Sequence, residues 1–90
     1  MTYNEWQEKF TINLKKMIKD TGLTQQKFCE EAGISISYLR MILSRKRKPS
    51  VLHLINIAST LDRIAEEKGE DIITIDDLVY FGEPIELETV

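Results

Sequence analysis

Four consecutive cations, Arg45-Lys46-Arg47-Lys48, stand directly before Pro49 and Ser50. Four like charges in one loop repel one another and attract phosphates, and each phosphate neutralised releases counterions from a nucleic acid. Just upstream, Ile36, Ser37, Arg40, Met41 and Ser44 fall on one side of a helix, at offsets of four and five. That side mixes a hydroxyl, a guanidinium and two apolar groups. Catalytic chemistry is not in view. The chain has one His and one Cys, no metal-ligand spacing and no phosphate-cradling glycine loop. Its many late carboxylates accompany helix starts and solvent faces. No catalytic residue, metal or cofactor is expected.

The elements that must position the basic loop are short. Thr24 can cap a helix over Gln25–Ala32, because its hydroxyl can accept a first-turn N–H. Phe28 and Cys29 then turn inward, Cys29 as a small hydrophobe and not a nucleophile. Gly33 ends the helix, since a residue without a Cβ enters the left-handed conformation cheaply. Ser35 opens the next helix, expected over about Ser35–Ser44, only two residues later. Two helices joined so tightly must cross steeply, as in a helix-turn-helix. Leu39, Ile42 and Leu43 form the inward side of the second.

The ordered set Gly22-Leu23-Thr24-Gln25, Gly33-Ile34-Ser35, Leu39, Pro49-Ser50 and Ile57-Ala58 resembles the DNA-binding domain of the phage repressor and Cro family, the xenobiotic-response-element-type regulators. The resemblance runs from about Leu14 to Leu61, with a looser echo at Thr74–Phe81. It implies an all-α, compact five-helix bundle of the lambda-repressor-like type, with double-stranded DNA as partner. In such proteins the positions matching Ile36, Ser37 and Met41 point at base edges in the major groove. Ser37 can hydrogen-bond to a base, and Arg40 can take guanine or a nearby phosphate. Ile36 and Met41 offer only apolar contact, to a thymine methyl or to protein. Gln25 opens the helix that crosses the backbone and can offer its amide and the free helix N–H groups to a phosphate. Tyr38, at the flank, can reach a phosphate or cover the core. Arg45, Lys46, Arg47 and Lys48 are placed as a backbone clamp, with Lys15, Lys16 and Lys27 as further candidates. One departure is informative. Many relatives bury an arginine in the first helix against a glutamate late in the third, and the matching residues here are Ile18 and Leu43. Packed hydrophobes replace a buried ion pair at little cost, because two desolvation penalties vanish together.

The rest of the chain fits one modest domain. Ninety residues, 42% hydrophobic and 30% charged, suit a globular fold. No apolar run approaches the ~20 residues of a membrane span, and the N-terminal residues do not read as a signal peptide. With a single cysteine, a reducing cytoplasm is expected. A net charge of −3 and a pI near 5.1 hide an asymmetry. Residues 1–50 hold ten Lys/Arg against five Asp/Glu, and residues 51–90 hold two against ten. Such division hints at an interaction surface on the basic half.

In chain order, a first helix is expected over about Glu5–Asp20, capped by Asn4 or Thr2, with Trp6, Phe10, Leu14, Met17 and Ile18 on one stripe. Trp6 and Phe10 extend the core or a dimer seam, with the core as the expected role. A fourth helix begins at Ser50, carries Leu54, Ile57, Ala58 and Leu61, and continues through Ile64 and Ala65 to Gly69. His53 is expected at the surface. Thr74-Ile75-Asp76-Asp77 resembles a capped helix start, with the fifth helix ending at Gly82. Ile72 and Ile73 can instead form an extended stretch. Residues 1–82 then form the helix-turn-helix domain, with its core at 24–44. Residues 83–90 form an acidic tail in which Ile85 and Leu87 can pair with another chain as an edge strand.

Two functions of different class follow. The first is a sequence-specific transcriptional regulator, a repressor that binds operator DNA as a homodimer with the 35–44 helix in the major groove. The second is a protein-interaction module on the same scaffold, an antirepressor or adaptor, motivated by apolar Ile36 and Met41 and the acidic last forty residues. No small-molecule effector is indicated, since the chain leaves little room for an effector domain.

Overall fold

Every helix among the described residues opens on a threonine or serine whose hydroxyl accepts the N–H three residues on. Thr2 takes Glu5, Thr24 takes Lys27, Ser35 takes Tyr38, Ser50 takes His53 and Thr74 takes Asp77, at 3.0 to 3.4 Å. A helix start leaves N–H groups unpaired, and a short hydroxyl side chain satisfies one of them. The computed structural model describes residues 1–86 and holds five helices there: α1 Tyr3–Asp20, α2 Gln25–Ala32, α3 Ile36–Leu43, α4 Val51–Glu67 and α5 Ile75–Val79. Leu87, and with it the edge-strand pairing, lies outside the described residues. No helix among those described is long and apolar enough to cross a membrane.

The expected elements are all present, with shifts at their ends. Helix α1 begins two residues early, at the Thr2 cap. Ser35 and Ser44 are caps of α3 and lie outside it. Helix α4 runs to Glu67 and stops before Gly69, which takes the left-handed conformation. Helix α5 carries a full capping box between Thr74 and Asp77 but ends at Val79, short of Gly82. Its last carbonyl is taken by another element: the Trp6 indole N–H donates to the Val79 oxygen at 2.7 Å. Tyr80 turns to an extended conformation. Ile72 and Ile73 form no strand. Ile73 packs on the core, its N–H held by the Asp62 carboxylate at 3.0 Å, while Ile72 stays exposed.

The core gathers one face from each helix. Phe10, Leu14 and Ile18 of α1 meet Phe28 and Cys29 of α2, Leu39 and Ile42 of α3, Ile57 and Leu61 of α4, and Leu78 of α5, all almost fully buried. Side chains of this size contribute about 1.5–3 kcal/mol each when buried. Trp6 stacks on Phe10 with ring centroids 4.8 Å apart and is buried, so both belong to the core. Ile18 and Leu43 are buried in the same cluster, as two uncharged residues there must be. Polar links tie the helix ends together. Lys68, just past α4, donates to the Thr21 and Asp20 carbonyls at the end of α1, where a cation complements the helix dipole. Asn13 of α1 donates to the carbonyls of Asp77 and Leu78.

Candidate nucleic-acid interface

The turn between α2 and α3 aims the second helix. Gly33 sits at φ 69°, ψ 30°, its N–H returning to the Cys29 carbonyl. Ile34 follows with its own N–H on the same carbonyl at 3.1 Å and its side chain buried, so the turn is plugged into the core from within. Ser35 then restarts the helix. With the turn pinned at both ends, the outward side of α3 has one orientation.

That side holds Ser37, Arg40 and Met41, all exposed, with Ser44 at its end. Ile36 is only half-buried and packs against the core cluster, so part of its surface is spent on the protein itself. Gln25 is exposed at the first position of α2. Tyr38 has a double character. Its ring is buried, and its hydroxyl oxygen accepts the Ser50 N–H at 3.0 Å. The phenol still carries its own proton, which a phosphate oxygen can accept.

The basic loop is built by an unusual helix stop. Arg45 takes a left-handed conformation, φ 64°, the one non-glycine residue among those described with positive φ. Its N–H returns to Ile42 and that of Lys46 to Met41, at 3.0 and 2.9 Å. This crossed pair of bonds usually places glycine at the left-handed position. An L-residue there costs roughly 1–2 kcal/mol, because its Cβ crowds the following carbonyl. Strain retained at a side chain with chemistry to offer points to use. No sequence pattern signalled it.

Two supports hold the loop. On the α4 side, Tyr38 binds Ser50, the His53 imidazole stacks on the Tyr38 ring at 3.9 Å, and the Arg47 guanidinium lies 5.2 Å from that ring. His53 also shares a hydrogen bond between its Nδ1 and the Ser50 hydroxyl. It is therefore half-buried in a cluster, where the sequence had suggested free surface. On the α1 side, the Lys48 ammonium sits 4.8 Å over the Tyr3 ring, and Gln7 reaches the Arg45 carbonyl at 3.5 Å. An open groove of about 1060 Å³ runs between the first turn of α1 and the loop, and Ile85 and Glu86 line its far side. The Tyr3 hydroxyl is buried with no partner among the described residues, and burial pushes its pKa up.

The electrostatics favour an anionic partner. Among the described residues, Arg40, Arg45, Lys46, Arg47 and Lys48 form no ion pair, whereas Lys27 pairs with Glu30 at 3.5 Å and Arg63 with Glu31 at 3.2 Å. Five uncompensated cations on and beside one helix face make a local positive field on a chain of net charge −3. Lys27, already paired, adds less to it. No group of His, Cys, Asp and Glu that can hold a metal occurs among the described residues.

A helix-turn-helix family model, HTH_3, matches residues 14–66, a span that takes in the turn, α3, the basic loop and most of α4. The chain belongs to the Cro/C1-type helix-turn-helix family. Membership makes it a DNA-binding, non-enzymatic protein. The Cro/C1-type assignment also covers the all-α five-helix architecture. Searches of curated proteins and of solved structures gave no match.

Proposed function

We propose that this protein is a sequence-specific transcriptional repressor that binds operator DNA as a homodimer. Two copies of α3 enter successive major grooves ~34 Å apart and exclude polymerase sterically. Ser37, Arg40 and Met41 read base edges, joined by the exposed part of Ile36. Gln25, Tyr38, Arg45, Lys46, Arg47 and Lys48 hold the phosphate backbone. The observation that carries this reading is the basic loop, without an ion pair among the described residues and braced by Tyr38 and Tyr3 beside the outward side of α3.

A protein-interaction role would need an apolar surface on α3. With Ile36 half taken up by the core, Met41 is the one exposed apolar residue there, at 36% of full exposure, and one partly exposed methionine beside five cations suits DNA better than an apolar groove. Binding to random duplex DNA, followed by anisotropy at ~50 and ~200 mM salt, tests the choice. Six phosphate contacts predict about a thousandfold loss of affinity across that range. Absence of binding at the lower salt would exclude the regulator reading.

A further inference from the structure

The acidic tail begins with residues 83–86, and these lie against the start of α1. The Glu86 N–H donates to the Met1 carbonyl at 2.7 Å, and Ile85 is half-buried against the core cluster. Docked there, Ile85 and Glu86 form one wall of the open groove of about 1060 Å³, and Arg45, Lys46, Arg47 and Lys48 form another. None of Ser37, Arg40 and Met41 lines this groove. A phosphate lodged in it would therefore meet the basic loop away from the base-reading side of α3. The docked segment also carries two exposed carboxylates, Glu83 and Glu86, which approach the Met1 amino group at 3.5 and 3.9 Å. Among the described residues neither pairs with a cation of the loop. The loop's charge is thus left intact, with negative charge held across a groove from it.

We infer that the 83–86 segment is a built-in electrostatic guard of this groove, repelling phosphates from the α1 side of the basic loop. Non-specific backbone binding is weakened, and the loop's cations are left to the phosphates beside α3. The inference rests on the phosphate-binding reading of the loop given above. Distance decides how the guard acts. Direct ion pairs with Arg45–Lys48 would neutralise the loop and cost all binding. A groove of this volume is on the order of 10 Å across, comparable with the ~10 Å Debye length at 0.1 M salt. At that range one carboxylate facing one phosphate changes affinity by roughly twofold in water. Two carboxylates therefore bias where a phosphate settles without closing the loop to DNA. High salt screens the effect.

Anisotropy of random duplex DNA with the full chain, at ~50 and ~200 mM salt, provides the test. It compares the wild type with Glu83→Gln/Glu86→Gln and with Glu70→Gln/Asp71→Asn. Each double variant removes two negative charges, so net charge alone cannot separate them. Glu70 and Asp71 are exposed just beyond the C-terminal end of α4. The length of that helix, ~25 Å, sets its end apart from the end that follows the loop. Glu83→Gln/Glu86→Gln should bind roughly threefold to tenfold tighter at ~50 mM. Its salt slope should steepen by about one, as the groove takes a phosphate. Glu70→Gln/Asp71→Asn should change affinity by less than about twofold, its charges being more than a Debye length away. Unchanged affinity in the first variant, or an equal gain in both, overturns the guard and leaves the DNA reading standing, since the wild type still binds. Failure of all three proteins to bind at ~50 mM fails the DNA reading, and the guard with it.

Discussion

The hydroxyl oxygen of Tyr38 accepts the backbone N–H of Ser50 at 3.0 Å, joining the middle of α3 to the residue that caps α4. Between them lies the whole basic loop. One phenol therefore sets the span across which four cations are displayed. Tyr38→Phe removes the acceptor and leaves the Ser50 N–H without its partner, which should lower stability by about 1 kcal/mol in urea unfolding. Affinity for random duplex DNA should fall while its salt slope is unchanged, because no charge is lost. A changed slope would mean that the loop's cations do not bind where the phenol holds them.

Arg45 supplies a conflict between stability and binding. Glycine adopts φ 64° without a Cβ penalty, so Arg45→Gly should raise stability by about 1 kcal/mol, after the greater backbone freedom of glycine in the unfolded chain is discounted. The same variant should bind all duplex sequences more weakly, with a salt slope reduced by about one. Thermal unfolding and salt-dependent anisotropy on one preparation measure both effects.

Arg40 and Ser37 should act on sequence choice more than on overall affinity. In a selection from random duplexes, Arg40→Ala should relax preference at one base pair by about 1–3 kcal/mol, and Ser37→Ala by less at a neighbouring one. Uniform weakening with no change in the selected sequence would move Arg40 to the backbone.

Cys29 gives the fold a pH limit. Burial pushes its thiol pKa up, and the nearby Arg40 guanidinium pulls it partly back. An acid whose pKa is higher folded than unfolded ionises first in the unfolded chain. Stability is then level through neutral pH and falls as pH rises past about 8.5, the ordinary thiol value. The raised Tyr3 phenol adds a second decline past about 10. Cys29→Ala should remove the first decline and keep the second, as read by unfolding midpoints from pH 7 to 11.

Ile18 and Leu43 are buried and uncharged, at the two positions where the family resemblance implies a buried ion pair. Ile18→Arg alone should destabilise by about 3–5 kcal/mol, since it leaves a buried charge unpaired. Adding Leu43→Glu should recover a substantial part of that loss, as a double-mutant cycle of chemical unfolding would quantify.

The sequence by itself determined the helices and the place of the cations. Capping, glycine stops and apolar periodicity are interactions between residues three or four apart. Thr24, Ser35, Ser50, Gly33 and the inward residues of α3 were legible for that reason, as were Arg45–Lys48, whose charge needs no fold to be recognised. Tertiary structure decided how those cations are held and how much of each reading residue remains free. Arg45 is left-handed, Ile36 is half absorbed by the core, and His53 stacks on Tyr38. Lys48 rests over Tyr3, and the Val79 carbonyl goes to Trp6 in place of a longer α5. Most of these depend on partners far apart in sequence, up to 73 residues in the last case. No local pattern encodes such a pairing, because it exists only once the core has brought the helices together.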